Sequence, residues 1–309
     1  MKAVRIHRFG PPEVISLDDL PKPEPGRGEV VVRVKAAGIG PWDALIRSGK
    51  SVLQQSLPLI LGSDLSGEVD SVGAGVAKLK VGDEVFGVTN ERFTGAYAEY
   101  AVAKAGMLAP KPKCLNYTHA ASIPVVAVTA WQMVFDLAQV SSGQAVLVHG
   151  GAGNVGGYAV QLAKRAGAMV IATASVKNDS YVRRLGADGV IDYRARRFEE
   201  RVKDIDAVLD TVGGETLDRS YGVLKRGGIV VSSAAQPSRE RAEQHGVREI
   251  FFLVQVTTER LKMIGEMIDA GTLQSEVGEV LWLDEAFKGH EMLEGAPHRR
   301  GKIVIKVAD

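Results

Sequence analysis

The chain has 309 residues, of which 45% are hydrophobic, so it can bury the cores of two domains and is too apolar for wholesale disorder. Its 38 Lys and Arg residues nearly balance its 37 Asp and Glu residues, and no basic block stands out, which argues against nucleic acid as a partner. A single cysteine, Cys114, excludes an intrachain disulfide. The sequence shows no signal-like apolar segment at its N-terminus and no apolar stretch of membrane-spanning length, so we expect a cytoplasmic protein with no membrane partner.

The first third of the chain is predicted to be β-rich. Residues 28–38 are rich in β-branched side chains and follow a turn of prolines and glycines. Residues 66–73, 82–88 and 98–103 are further short apolar runs bounded by turns. The tail at 301–307 is strand-like again.

From about residue 122 the pattern changes to strands that alternate with helices. Segments with helical spacing, such as Val155, Ala159 and Leu162, separate short apolar runs. This alternation predicts an α/β fold with a doubly wound parallel sheet. The predicted buried strands are 145–149, 169–173, 189–192, 206–210, 228–232 and 250–256.

A glycine-rich loop follows the first of these strands. Gly151, Gly153 and Gly156 spell G-x-G-x-x-G between a buried strand and an amphipathic helix. The first glycine permits a tight turn, the second lets the backbone approach a pyrophosphate, and the third lets the helix pack close to the strand. The loop therefore predicts a Rossmann-type dinucleotide site. The alternative is a turn whose glycines serve strand-to-helix geometry alone.

The end of the next strand indicates which dinucleotide is bound. NAD sites place Asp or Glu there to hold the ribose 2′-hydroxyl, whereas this chain has Thr173, Ala174 and Ser175, followed by Lys177. A charge-assisted bond from Lys177 to a 2′-phosphate would contribute about 1.5–3 kcal/mol. We therefore predict NADPH. In the alternative interpretation Lys177 is a solvated residue before the helix that begins near Asn178.

Two further patterns are interpreted as structural. Tyr221 and Lys225 have the Y-x-x-x-K spacing of short-chain dehydrogenases, but the dinucleotide fold starts too late in the chain for that family. We expect them to be one core and one surface position of a helix. His149 ends the strand before the glycines, and we expect it to serve the fold there.

Several motifs together resemble a known family. The segments GSDLSGEV, KVGDEVFG, HGGAGNVGGYAVQLAK, LGADGVIDYR and DTVGGE are similar to those of the zinc-free quinone oxidoreductase (ζ-crystallin-like) branch of the medium-chain dehydrogenase/reductase superfamily. The resemblance implies a GroES-like β-rich catalytic domain from residues 1–122 and 258–309, with a Rossmann domain at 123–257. It also implies a homodimer.

The same resemblance indicates whether the protein binds zinc. Zinc-dependent relatives have a catalytic cysteine where Gly40 stands, and a histidine and a glutamate where Ser63 and Asp64 stand. Tetrahedral zinc sites are built from cysteine, histidine and carboxylate ligands, and one cysteine cannot supply a four-cysteine structural site. We therefore expect no zinc.

The resemblance implies roles for individual residues. Thr129 would lie near the nicotinamide ribose, Lys177 and Tyr193 would flank the 2′-phosphate, and residues 251–254 would offer backbone groups to the carboxamide and an edge strand for dimer pairing. The complete predicted cofactor site is Thr129, Gly151, Gly153, Asn154, Val155, Gly156, Ala174, Ser175, Lys177, Tyr193, Phe252 and Val254.

Trp42 and Asp43 are the candidate catalytic residues. We expect Trp42 to wall the substrate pocket and Asp43, ionised at a normal pKa, to orient neighbouring groups while solvent supplies the proton. Alternatively, Asp43 is a structural turn residue. The expected activity is NADPH-dependent reduction of quinones or α,β-enones. Two alternatives are zinc-free alcohol/aldehyde dehydrogenation and a non-catalytic NADPH-binding or RNA-binding role.

Overall fold

The computed structural model describes residues 1–308, and in it the chain leaves a first unit, builds a second, and returns to the first. Met1–Val125 and the residues from Gln255 onward make up the first unit, and Val126–Val254 make up the second. Within residues 1–308, no helix combines the length and the apolar character needed to cross a bilayer.

The N-terminal part of the first unit is β-rich, as the sequence predicts. Its long third strand is buried along most of its length and pairs with three other strands. The strands are β1 (Lys2–Ile6), β2 (Ile15–Asp19), β3 (Glu29–Ile39), β4 (Leu59–Ile60), β5 (Asp64–Val72), β6 (Glu84–Val88), β7 (Tyr100–Lys104) and β8 (Leu108–Pro110), and the helices are α1 (Pro41–Arg47) and α2 (Tyr117–Ala121).

The middle of the chain is the predicted doubly wound α/β structure. Its elements are α3 (Pro124–Trp131), β9 (Ala145–His149), α4 (Asn154–Arg165), β10 (Met169–Ala174), α5 (Asp179–Arg184), β11 (Gly189–Asp192), β12 (Ile205–Asp210), α6 (Gly214–Ser220), β13 (Leu224–Ser232), α7 (Arg239–His245) and β14 (Arg248–Phe251). Six parallel strands lie in the order β11-β10-β9-β12-β13-β14. The strand order reverses between β9 and β12, and open sheets of this kind bind ligands at the carboxyl ends of strands beside such a reversal.

The C-terminal part of the chain completes the sheet of the first unit. Its elements are α8 (Thr258–Asp269), β15 (Val277–Trp282), α9 (Ala286–Leu293) and β16 (Lys302–Lys306). Strand β16 pairs with β3 antiparallel, so that Ile303 lies opposite Ile39, and the sheet runs β15-β16-β3-β5-β6-β8 with β7 also on β3. Strands β2, β1 and β4 form a separate three-stranded sheet.

Two sequence predictions in the middle of the chain are wrong. The strand predicted at 250–256 ends at Phe251, because its neighbour β13 ends at the paired residue Ser232. The hydroxyl of Ser232 accepts hydrogen bonds from the backbone of the two alanines at 234 and 235, which turns that chain away. The helix expected to carry both Tyr221 and Lys225 is absent from the described structure, because Tyr221 lies in a short 3-10 turn and Lys225 in β13.

Candidate functional site

The glycine loop lies where β9 meets α4, beside the neighbouring strand β10. The backbone N–H of Gly151 donates to the carbonyl oxygen of Thr173 at 3.0 Å, and that of Gly150 donates to the Thr173 hydroxyl at 3.1 Å. A Cβ on Gly151 would lie 2.8 Å from the Cβ of Ala172, and one on Gly156 would overlap the carbonyl oxygen of Gly150. Side chains at these positions would therefore push the loop off the sheet.

Helix α4 presents its N-terminus at the end of this loop. The first N–H groups of any helix lack intrahelical acceptors. In this 12-residue helix the N-cap is Gly153, which has no side chain that could accept a hydrogen bond from them. Asn154, Val155 and Gly156 form that first turn. Free N–H groups and the positive end of the helix dipole together bind anions. The residues present therefore fit the pyrophosphate of a dinucleotide.

A cavity of 370 Å³ lies at the end of β10 and along the edge strand β11. Ser175 lines it, whereas Lys177 and Tyr193 are absent from its walls. Its basic side chains are Arg183, Arg196 and Arg201, which the sequence analysis missed.

The arginines of this cavity differ in their pairing. Arg183 is bonded to Asp179 at 2.8 Å. Neither Arg196 nor Arg201 has an ion-pair or hydrogen-bond partner for its side chain in the described part of the chain. For Arg196 the signal in the sequence was the basic run Arg194–Arg197, directly after the predicted strand 189–192.

Two more strands bring polar side chains to the same edge of the sheet. Asp210, the last residue of β12, is buried and accepts hydrogen bonds from the backbone of Gly213 at 3.0 Å and the hydroxyl of Ser232 at 2.6 Å. Thr211 donates to the carbonyl oxygen of His149 at 2.7 Å. These contacts fix the 211–213 loop beside the glycine loop.

His149 is fully buried, and its ring connects three elements. Nδ1 lies 3.2 Å from the hydroxyl of Thr173, and Nε2 lies 3.0 Å from that of Ser220. Burial lowers the pKa of His149 to about 4, so the ring is neutral at physiological pH. A neutral ring held on both sides suits a structural role.

The remaining predicted cofactor residues come from other parts of the second unit. Thr129 lies in α3 and is buried, whereas Phe252 and Val254 follow the end of β14 without regular secondary structure. Tyr193 follows β11 and is exposed, and its backbone lies next to Ala174.

Asp43 lies at the start of α1 in the first unit and is fully buried. Its Oδ2 accepts hydrogen bonds from the backbone N–H of Gly40 at 2.8 Å and from the hydroxyl of Tyr97 at 3.0 Å. Burial raises the pKa of the Asp43 carboxyl to about 7, against the opposing effects of the Gly40 N–H and the ammonium of Lys302. The expected normal pKa is wrong, because the sequence could not show that solvent is excluded here.

Trp42 is half-buried beside a charged cluster. Its Nε1 donates to the hydroxyl of Ser63 at 3.2 Å, and Nζ of Lys302 lies 4.2 Å from the centre of its ring. Nζ also lies 3.0 Å from Oδ2 of Asp64, whose Oδ1 accepts from the backbone N–H of Val125. Burial raises the pKa of Asp64, and the ammonium of Lys302 opposes that rise.

The residues at the positions where zinc-dependent relatives have their ligands therefore make other contacts. Gly40 has no donor atom in its side chain, Ser63 bonds the indole, and Asp64 faces an ammonium. Over residues 1–308, no group of three or more His, Cys, Asp or Glu side chains is arranged to hold a metal ion.

Comparison with protein families gives two matches along the chain. Residues 26–113 match the family described as "Alcohol dehydrogenase GroES-like domain". Residues 185–305 match the family described as "Zinc-binding dehydrogenase". The two matched segments cover parts of both structural units.

Individual relatives match almost the entire chain. The quinone oxidoreductase of Homo sapiens is 30% identical over 323 residues, which cover 99% of this chain and 97% of the relative. The structure of the quinone oxidoreductase from Coxiella burnetii has a TM-score of 0.93 and 36% identity, and covers 100% of this chain and 99% of its own. The Escherichia coli quinone oxidoreductase complexed with NADPH has a TM-score of 0.90 and 28% identity, over 99% of this chain and 100% of its own.

Proposed function

Because the chain belongs to the quinone oxidoreductase branch of the medium-chain dehydrogenase/reductase superfamily and is an NAD(P)H oxidoreductase, we propose that it uses NADPH to reduce quinones or α,β-unsaturated carbonyl compounds without zinc. The observation that carries the coenzyme assignment is the glycine loop beside the end of β10, which lacks the usual carboxylate and borders a cavity that Arg196 and Arg201 line together with Asp179 and Asp192.

In this proposal the second unit binds and orients the coenzyme. NADPH, when bound, supplies a hydride from C4 of its nicotinamide. The first turn of α4 binds the pyrophosphate, and the glycines of the loop let the backbone reach it. Lys177 and Tyr193 bind the 2′-phosphate as the resemblance implies, and Arg196 and Arg201, whose side chains have no partner within residues 1–308, strengthen that site. Thr129, Phe252 and Val254 hold the nicotinamide half.

In the first unit the residues at the zinc-ligand positions favour a reaction without zinc. Gly40 and Ser63 replace the cysteine and the histidine that zinc-dependent relatives use, and Lys302 already neutralises Asp64. Without a metal to polarise a lone carbonyl, the acceptor must already be electron-poor, as quinones and enones are. Negative charge that develops at the acceptor is then delocalised onto an oxygen, which needs only a hydrogen-bond donor or water.

Trp42 and Asp43 have different roles in the proposed reaction. Trp42 is half-buried and forms a wall of the acceptor site. Asp43 is fully buried and bonded to Gly40 and Tyr97, so it holds the backbone before α1 and does not deliver a proton to the substrate. Solvent supplies that proton.

A second candidate is a zinc-free alcohol/aldehyde dehydrogenase-type reductase. The descriptions of both matched families, which name dehydrogenases, favour it. Such an enzyme would act on a lone carbonyl or hydroxyl, so saturated substrates distinguish it from the leading proposal.

We also propose that the protein is a cytoplasmic homodimer. The edge strand expected at 251–254 instead spans Arg248–Phe251. Strand β14 is the last strand of its sheet and, within residues 1–308, pairs with β13 alone, so its outer edge can accept a partner strand. Light scattering of the purified protein tests this assembly, and a monomeric mass at micromolar concentration would contradict it.

The test of function is a comparison of acceptors after dialysis against a chelator. We expect NADPH oxidation with ortho- or para-quinones and with an alkyl enone, and little with the saturated ketone of the same carbon skeleton. NADH should support a slower reaction. Faster reduction of the saturated ketone, or stoichiometric zinc that survives the chelator, would overturn the proposal.

A further inference from the structure

Three contacts determine the orientation of the Trp42 indole: a hydrogen bond, a cation over the ring, and the close approach of the backbone. Ser63 accepts the hydrogen bond from Nε1, and Lys302 places its ammonium over the ring. On the backbone side, a Cβ at Gly40 would overlap the six-membered ring of the indole. Position 40 therefore has to be glycine for this orientation of Trp42.

The lysine whose ammonium lies over the ring is almost completely buried. Lys302 is 1% exposed and Asp64 is 0% exposed, and the two lie 3.0 Å apart. Among the described residues Nζ makes no hydrogen bond of regular geometry, and the charge acts on Asp64, on the indole and on the nearby carboxyl of Asp43. Burying an ion pair costs solvation energy that its mutual attraction often fails to repay. The pair thus adds little stability and calls for another role.

A cation over an indole face favours one ring orientation. The attraction depends on the position of the charge along the ring normal and strengthens when both groups are shielded from water. Lys302 is itself fixed, because its strand β16 pairs with β3 directly beside Gly40. The register of two strands therefore determines where the charge lies.

We propose that Lys302 is a positioning residue that fixes the half-buried indole of Trp42 in one orientation, and that this indole selects flat aromatic acceptors such as quinones by stacking. The selection rests on the proposed function, whereas the fixation of the indole does not. A flat ring on a fixed indole gains offset stacking that a small alkyl enone lacks. Quinones are therefore the preferred class among the proposed acceptors.

Fluorescence tests the orientation of Trp42 independently of activity. The variant Trp131→Phe/Trp282→Phe leaves Trp42 as the only tryptophan. In this background Lys302→Met should shift the emission maximum and increase quenching by acrylamide, whereas Lys302→Arg should keep both near the parent values. Lys306→Met is the matched control, because Lys306 lies on the same strand over the ring of Trp282 at 4.9 Å. It should leave the Trp42 signal unchanged.

Steady-state kinetics in the otherwise unchanged protein test the selection. Lys302→Met should raise KM for a naphthoquinone about fivefold or more, with a smaller change in kcat, in KM for an alkyl enone and in Kd for NADPH. Lys302→Arg should keep the KM for the quinone near that of the unmodified protein. If Lys302→Met does not fold, Gly40→Ala provides the second variant, because its methyl group displaces the indole while Lys302 stays.

The outcomes separate the two parts of the proposal. Unchanged Trp42 emission in Lys302→Met would overturn the positioning role, whatever Gly40→Ala shows. Changed emission with an unchanged ratio of quinone to enone KM would overturn the selection. Equal losses of stability, coenzyme binding and activity in Lys302→Met and Lys302→Arg would make Lys302 purely structural. If the unmodified protein reduces no quinone at all, the proposed function fails, and the emission data still decide the role of Lys302.

Discussion

The buried carboxyl of Asp43 makes the stability of the protein depend on pH. Its pKa is raised to about 7 in the folded chain, whereas the ordinary value of 3.8 applies when the chain is unfolded. Between these values the unfolded chain has released the proton and the folded chain still holds it. Stability from this group is therefore complete below pH 3.8 and falls as the pH rises towards 7, and it stays constant above that.

The size of this effect follows from the two pKa values. A rise of roughly three units corresponds to about 4 kcal/mol in total, since one unit is about 1.4 kcal/mol. Over the experimentally convenient range from about pH 5 to about pH 8, about 2.5 kcal/mol of this is lost. Asp43→Asn has no proton to release, and its amide oxygen can still accept from Gly40 and Tyr97.

Chemical denaturation at a series of pH values measures this directly. The free energy of unfolding of the unmodified protein, minus that of Asp43→Asn, should fall by about 2.5 kcal/mol from pH 5 to pH 8. Asp188→Asn is the control, because a hydrogen bond with Lys164 and one from the backbone N–H of Val170 lower the pKa of Asp188 against an opposing effect of burial, so its difference should stay flat in this range. A flat difference for Asp43→Asn as well would show that Asp43 is ionised in the folded protein, and the reasoning would fail.

Three further predictions concern the coenzyme site. Arg196→Ala combined with Arg201→Ala should weaken NADPH binding roughly tenfold or more, with NADH little changed, in a fluorescence titration; equal losses for both coenzymes would remove the arginines from the phosphate site. Lys177→Glu should do the same through repulsion of the 2′-phosphate, and a parallel loss of NADH binding would mean that Lys177 acts through folding. Gly156→Ala should lower the thermal midpoint and abolish binding of both coenzymes, because the added methyl group overlaps the carbonyl oxygen of Gly150; a variant that binds normally would refute the close packing of this loop.

Local patterns were sufficient for most of the fold. The strands at 145–149 and 189–192 have their predicted bounds, and the first is a continuous apolar run of the kind typical of a buried parallel strand. The glycine spacing at 151–156 predicted the turn correctly, since the limits on loop geometry there are local. The end of β14 could not be predicted, because it depends on where Ser232 turns the neighbouring strand away.

The candidate site was predicted only where a motif encodes it. Arg201 was missed because it lies well beyond the strand end in the sequence, and only the fold brings it to the same cavity as Ser175. The ion pair of Lys302 and Asp64 joins residues that are 238 positions apart, through the pairing of β16 with β3 and of β3 with β5. The burial of Asp43 is likewise a tertiary property, and no local pattern reports it.

The transfer of deuterium from labelled NADPH tests the proposed reaction most directly. Chelator-treated protein is incubated with an alkyl enone and NADPH that carries deuterium at both C4 positions, and the product is analysed by NMR. We predict a saturated ketone with deuterium on the carbon β to the carbonyl group. Deuterium on the carbonyl carbon, in an allylic alcohol, would contradict the proposed reaction.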